Sequence, residues 1–286
     1  MSKLASEHVK VLISGEGGDE AFAGYSNYRN LLWLERLKRV LGPLRGAFGA
    51  GVGALGGAFD SDRLAKYAPL FAAPLEGYYL SRTSSPFRLF NRDFAGIYTP
   101  DFEALVGKGR SMEVARKLMA NCNGYGPLEK MLYVDTKTWL PDDLLVKADK
   151  MTMANSVELR VPFLDHKVLE FAASLPGDQK VRGWTTKYLA RKALRGCVPR
   201  EILERRKAGF PIPYESWLRN QLKGWLSDIL LDSRTLSRGY FERGAIERII
   251  RNDHTGEDYS KEIFSLVVLE LWHRTFLDGR FAAPVV

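Results

Sequence analysis

Cysteine is almost missing from this sequence: its 286 residues hold two, Cys122 and Cys197, far apart and in no Cys-x-x-Cys spacing. That excludes a disulfide framework and a four-thiolate zinc site, and it fits a reducing, cytoplasmic setting. Long hydrophobic runs are absent as well. The one membrane-like window, residues 40–59, spaces Gly49, Gly53 and Gly57 like a transmembrane packing face, yet Pro43 interrupts it, Arg45 sits near one end and seven of its residues are glycine. It reads as a small-residue connection or a loosely packed helix, and no membrane partner is expected. The first ten residues are charged and carry no apolar stretch of signal-peptide length, the last six match no lipidation pattern, and no repeat period is found. His8, His166, His254 and His273 are scattered without metal-ligand spacing.

What is present supports a real core. Hydrophobic residues make up 45%, aromatics 12% and charged residues 27%, enough for one large domain or two modest ones and incompatible with a disordered chain. The formal net charge of +8 is local: residues 180–219 carry 11 basic and 3 acidic side chains, and the remainder is balanced. Such a segment suits nucleic acid, an anionic surface or a polyphosphate. No zinc-finger spacing, ribonucleoprotein motif or basic zipper accompanies it, so nucleic acid is not the expected partner.

Val9 to Ser14 is a short β-branched run ending at glycines, the pattern of a buried strand entering a turn. Residues 19–40 then follow helical spacing through Leu31, Leu34, Leu37 and Leu41 at its end. Further helices are expected over 61–67, 75–82, 112–122, 128–140, 142–154, 167–174, 186–195, 214–231, 244–252 and 259–277. A single strand cannot satisfy its own backbone when buried, and no neighbour is evident, so residues 1–286 are expected to be part of something larger.

Three groups of residues are candidates for chemistry. Ser14-Gly15-Glu16-Gly17-Gly18-Asp19-Glu20 lies between strand and helix, where α/β sheets hold phosphates. It is neither a dinucleotide fingerprint nor a Walker A loop. Three carboxylates beside a polyphosphate require a cation, which makes a Mg²⁺-bridged triphosphate or pyrophosphate one reading, with Asp19 the better-placed ligand. The other is a tight turn in which Gly15, Gly17 and Gly18 take positive φ and the acids cap the helix. The second group is the helix start Gly183 to Lys187, with Thr185 as cap and Lys187, Arg191 and Arg195 on one face, either one whose repulsion an anion would relieve or an ordinary solvated basic face. Arg205 to Pro211 beside it has the shape of a closing loop or of an ordinary connection. In the third, Asp142 caps a helix, Asp143 and Lys147 form an i, i+4 pair, and Glu158 and Arg160 share one face of an extended segment, read as a buried ion-pair network fixing a cleft wall in preference to direct catalysis.

Six runs, taken together and in order, resemble glutamine-dependent asparagine synthetases: Val11–Glu20, Asp135–Asp143, Lys147–Met151, Val157–Asp165, Lys187–Arg191 and Lys207–Phe210. The resemblance covers the synthetase domain from its middle to its end. It implies an α/β fold, the C-terminal part of an adenine nucleotide α-hydrolase-like (PP-loop ATP pyrophosphatase) fold that is predominantly helical in this chain. It also implies a ligase that turns aspartate and ATP into β-aspartyl-AMP and pyrophosphate, after which ammonia displaces AMP. By the same resemblance Ser14, Gly15, Gly17 and Gly18 contact the nucleotide, Glu16 serves adenylate formation and amine attack, Asp19 belongs to the Mg²⁺-pyrophosphate site, and Lys187 meets the polyphosphate. Aspartate, ATP, Mg²⁺ and glutamine-derived ammonia are the implied ligands, and a homodimer is common in the family. The family's N-terminal glutaminase domain and its Ser-Gly-Gly-x-Asp-Ser loop are not found, so a partial, incomplete enzyme is expected. Relatives that amidate other carboxylates in polysaccharide or peptide pathways, and a non-catalytic half pairing with a separate partner, are the alternatives.

Overall fold

Val11, Leu12 and Ile13 do form a strand, β1 (Val11–Ile13), and the neighbour it requires lies within the same chain. Strand β2 (Glu158–Arg160) pairs with it in parallel, with Val11 opposite Glu158, Leu12 opposite Leu159 and Ile13 opposite Arg160. Backbone bonds from the Glu158 amide to the Lys10 carbonyl and from the Ser14 amide to the Arg160 carbonyl, each 2.8 Å, extend the ladder. The expectation of an orphan strand is therefore corrected. The alternation of Glu158 and Arg160 with Val157, Leu159 and Val161 does mark an extended segment, but no local pattern names β1 as its partner. Nor is β1 a buried strand: Ile13 is 77% exposed, and among the described residues only β2 joins it in the sheet.

The computed structural model describes residues 1–59, 61, 64, 67–80, 96–106, 110–205, 212–254 and 259–279. The chain divides into two compact units, residues 1–84 with 111–206 and residues 85–110 with 207–286. In the first unit, α1 (Ser2–Ser6) precedes β1, and the helix expected over 19–40 is two helices, α2 (Gly18–Phe22) and α3 (Ser26–Leu41). They are separated because Ala23 takes a left-handed backbone, φ 56°, which no helix continues through. The glycine-rich window forms α4 (Arg45–Ala58), packed on the 3₁₀ turn Ala68–Phe71. A Cβ at Gly49 would come within 2.8 Å of both the Ala68 carbonyl and Phe71 Cβ, so the missing side chain permits the approach. Among the described residues no helix is long and apolar enough to cross a membrane.

The second unit holds α5 (Pro100–Val106), and α6 (Arg110–Ala120) leads back into the first, which continues with α7 (Pro127–Lys137). A π-helical turn, Leu140–Leu145, runs into α8 (Val146–Met153), and after β2 come α9 (His166–Ser174), α10 (Gly177–Lys180), α11 (Tyr188–Ala193) and α12 (Arg200–Glu204). At the centre of this unit the Asp135 carboxylate, 0% exposed, accepts hydrogen bonds from Tyr28 (2.5 Å) and Tyr79 (2.6 Å), which ties α3 to α7. Burial, and then the neighbouring carboxylate, pushes the Tyr28 phenol well above its ordinary value. Lys180, counted in the basic segment, is also buried, and its ammonium is held below its ordinary range by desolvation.

The second unit continues with α13 (Tyr214–Arg219), α14 (Lys223–Leu230), α15 (Ser233–Leu236), α16 (Arg243–His254) and α17 (Ser260–Trp272), which ends in a π-helical turn, His273–Asp278. The helix expected over 214–231 is broken at Asn220, whose φ −116° and ψ −82° leave the helical region. Leu226, Ile249 and Ile263 lie in a cluster of buried aliphatic residues against which Tyr214, Phe241 and Tyr259 pack. The expected 61–67 segment and the end of 75–82 lie largely outside the described residues; what is described of the latter is one 3₁₀ turn, Leu75–Gly77.

Candidate active site

The Ser14–Gly17 loop joins β1 to α2, and one glycine in it is demanded by geometry. Gly17 has φ +81°, and a Cβ there would stand 2.0 Å from Leu164 Cδ2. Gly18 packs against Phe163, a Cβ meeting that ring at 3.2 Å, whereas Gly15 has open space around it. Only Gly17 of the three takes positive φ, so the expectation for Gly15 and Gly18 is corrected. The helix that follows has five residues, little more than one turn, and its dipole is correspondingly small. The Ser14 amide is taken by the Arg160 carbonyl, so anion contacts in this loop would lean on a nearby cation.

The three acids have separate environments. Glu20 is 1% exposed and accepts a hydrogen bond from the Tyr25 hydroxyl at 2.7 Å, which makes it part of the scaffold. Asp19 Oδ1 lies 2.7 Å from Lys187 Nζ. Glu16 Oε2 is buried and has no hydrogen-bond partner among the described residues. Desolvation raises the Glu16 carboxyl, the charge of Lys147 opposes this and that of Glu20 adds to it. The loop thus contains one structural carboxylate, one ion-paired carboxylate and one that protonates more readily than an ordinary glutamate.

Lys187 reaches Asp19 from a turn that α3 carries. Arg182 and Thr185 exchange backbone hydrogen bonds of 3.0 and 2.9 Å across Gly183, φ +57°. The Trp184 ring stacks on Trp33 with centroids 5.9 Å apart, and the Arg29 guanidinium covers Trp184 at 5.1 Å. Trp33 Nε1 donates to the Gly183 carbonyl at 3.2 Å, and Arg29 donates to the Trp184 carbonyl at 3.1 Å. Lys187 itself adopts the left-handed conformation, φ 52°, which costs on the order of 1 kcal/mol in a residue with a side chain. Thr185 therefore does not cap a helix. The helix starts only at Tyr188, with Lys187 as its N-cap residue, and it ends at Ala193, so Lys187, Arg191 and Arg195 do not share a helical face. Arg191 instead donates to the Thr186 carbonyl at 3.0 Å and to the Leu203 carbonyl.

The third group also departs from expectation. Asp142 lies inside the π-turn and makes no cap hydrogen bond; Trp139 precedes the turn as its N-cap residue. The wider π-turn rotates successive side chains out of i, i+4 alignment, and among the described residues Asp143 and Lys147 form no ion pair. Glu158 and Arg160 do pair, at 2.8 Å, but their side chains are 58% and 63% exposed, so the expected burial is corrected. Asp165 caps α9 by accepting from the Lys167 amide at 2.9 Å. Residues 207–210, and with them the basic loop apart from Arg205, lie outside the described residues.

The donor set suits a cation in part. Asp19 and the unsatisfied Glu16 Oε2 are hard oxygen donors, but no group of three or more metal-ligating side chains occurs among the described residues. Mg²⁺ is commonly held by one or two carboxylates with substrate phosphates completing its shell, so these residues fit a Mg²⁺–phosphate complex and not an all-protein cage. A signal that the sequence reading missed is Gly24, five residues beyond Asp19, which packs directly against the Asp19–Lys187 pair.

Fold and site together define an α/β protein, largely helical, whose acidic glycine loop after the first strand meets a lysine delivered by a later turn. The profile of the asparagine synthase family matches residues 1–274, and the chain belongs to that family. It is 33% identical over 283 residues to asparagine synthetase [glutamine-hydrolyzing] 1 of Bacillus subtilis (strain 168), covering 98% of this chain and 43% of the relative. It is 35% identical over 281 residues to a putative asparagine synthetase [glutamine-hydrolyzing] of Mycobacterium bovis, covering 97% and 41%. A more distant match is amidase chyE of Penicillium rubens, 25% identical over 272 residues, 88% and 39% covered. The chain thus spans about two fifths of the length of the curated relatives it matches.

Proposed function

We propose that this chain supplies the C-terminal part of the ligase site in an enzyme that amidates aspartate to asparagine at the expense of ATP. The observation that carries the proposal is the meeting of Asp19 and Lys187, 2.7 Å apart, beside the half-buried Glu16 at the end of β1. The fold assigned to it is the C-terminal part of an adenine nucleotide α-hydrolase-like domain. In the reaction, a side-chain carboxylate oxygen of aspartate attacks the α-phosphorus of ATP, and the bond to the β,γ-pyrophosphate breaks. Ammonia then attacks the acyl carbon of β-aspartyl-AMP, and AMP leaves with the bonding electrons. Ammonia would come from glutamine through a domain outside this chain.

Each residue has a task its surroundings suit. Gly15 is exposed with open space around it, where a phosphate or adenylate group would approach Ser14 and Gly15, while Gly17 and Gly18 keep the loop against Phe163 and Leu164. Lys187 neutralises charge that develops on the departing pyrophosphate, the electrostatic help that is worth most in a partly dry site. Glu16, whose raised pKa leaves it readier than an ordinary glutamate to exchange a proton, is placed to take one from the attacking amine. Asp19 would be a ligand of Mg²⁺, which when bound neutralises the phosphates and orients them.

The test is pyrophosphate release from ATP in Mg²⁺, aspartate and ammonia, by this chain and by a longer one carrying the upstream residues of its relatives. Release that Asp19→Asn or Lys187→Ala lowers by about 10²-fold or more supports the reading. Release unchanged by both substitutions overturns it.

A further inference from the structure

Gly24 has a role that its backbone does not explain. Its φ is not in the left-handed region, so any residue meets the conformational demand of the position. What the position forbids is volume. A Cβ there would stand 1.8 Å from Asp19 Oδ1, 2.8 Å from Asp19 Cγ and 2.3 Å from Lys187 Cε. All three atoms belong to the two side chains of the ion pair, none to backbone. Meanwhile two of the three non-glycine residues in the left-handed region, among the described residues, flank this spot: Ala23 at φ 56° and Lys187 at φ 52°. Strain concentrated around a contact indicates that the surrounding structure enforces the contact.

We infer that Gly24 is a positioning residue: the space left by its missing side chain is where Asp19 and Lys187 meet, and it keeps the lysine parked on the carboxylate. An alanine at 24 evicts the ends of two flexible side chains, an adjustment the fold tolerates, and leaves Lys187 swung away from Asp19. That the parked lysine is later drawn to a phosphate ligand rests on the proposed function. The packing around Gly24 does not.

The experiment reads the lysine itself. Acetylation of the purified chain by acetic anhydride, without nucleotide, is followed by peptide mass spectrometry, with exposed Lys192 as internal reference. Lys187, with 32% of its side chain exposed and paired to Asp19, reacts more slowly than Lys192 in the natural sequence. Gly24→Ala raises the Lys187 rate roughly threefold, the size expected for losing a half-exposed ion pair, with the Lys192 rate unchanged. Asp19→Asn gives a similar rise, and the two substitutions combined give no further one. A Lys187 rate in Gly24→Ala equal to that of the natural chain overturns the inference. Should Gly24→Ala fail to fold, adding Asp19→Ala and Lys187→Ala removes the three atoms nearest the new methyl and restores folding; a triple variant that still fails overturns the inference equally. Since no nucleotide is present, the result is independent of whether pyrophosphate release is found.

Discussion

The two units hold their buried acids with different partners. In the first, the interior holds Asp135 between two tyrosines, Glu20 under Tyr25 and Lys38 bonded to Glu35 and the Ala73 carbonyl. In the second, an aliphatic cluster lies alongside acids held by arginines: Asp253, 0% exposed, accepts from Arg219, and Arg238 and Arg274 converge on the buried Glu270 at 2.5 and 2.7 Å. Every candidate site residue belongs to the first unit. A protein that must hold several carboxylates close together does so with polar neighbours already in place, since an unpartnered buried acid is costly. The second unit meets the same requirement with arginines on Asp253 and Glu270, and adds the aliphatic cluster around Leu226.

The largest effect should come from the aliphatic cluster of the second unit. Leu226 is 0% exposed, and Leu226→Ala is expected to lower unfolding free energy by about 3–4 kcal/mol in urea titration, through lost transfer energy and the remaining cavity. Asp135→Ala tests the first unit at matching depth. It strands the hydroxyls of Tyr28 and Tyr79 in the interior, and a loss of about 3 kcal/mol is expected. A loss below about 1 kcal/mol would show water reaching those hydroxyls and would erase the contrast between the units.

Glu270→Gln is expected to cost about 2 kcal/mol at neutral pH, because two arginines lose their shared anion while the amide keeps part of the hydrogen bonding. The pH dependence sharpens the point. Burial by itself raises the Glu270 carboxyl, but hydrogen bonds from Arg238 and Arg274 outweigh it, so the group lies below its ordinary 4.5. Its contribution is complete above pH 4.5 and fades as pH falls through the lower folded value. In the Gln variant that acid-side loss is absent, which stability measured between pH 3 and pH 6 checks.

How much of this was legible in sequence depended on how local the cause is. Leu31 and Leu34 announced α3, and the family runs pointed to Asp19 and Lys187, which the fold brings together. That β1 pairs with the extended segment at Glu158–Arg160 was not legible, because the two runs lie far apart in the chain and no local pattern records their pairing. Thr185 and Asp142 resembled caps, but capping depends on backbone geometry that Lys187 in αL and the π-turn at Leu140–Leu145 altered. Gly24 could not be recognised from sequence at all. Its requirement is set by a lysine distant in the chain, and no local pattern records such a distance.

The smallest expected effect is also the one whose sign is most diagnostic. Glu16 is raised above its ordinary 4.5, chiefly by desolvation. Below that value both folded and unfolded chains hold the proton, and the group is neutral in the balance. As pH rises past 4.5 the unfolded chain releases its proton first, so the folded state binds more protons and stability declines until the raised folded value is passed. Glu16→Gln removes that decline: the variant should equal the natural chain near pH 4 and exceed it modestly at pH 7, as melting temperature across the range would show. This is the reverse of Glu270→Gln, which weakens the protein at pH 7. If both substitutions weaken the protein at neutral pH, Glu16 is a satisfied structural acid, and the case for it as the residue that exchanges a proton with the substrate falls with the contrast.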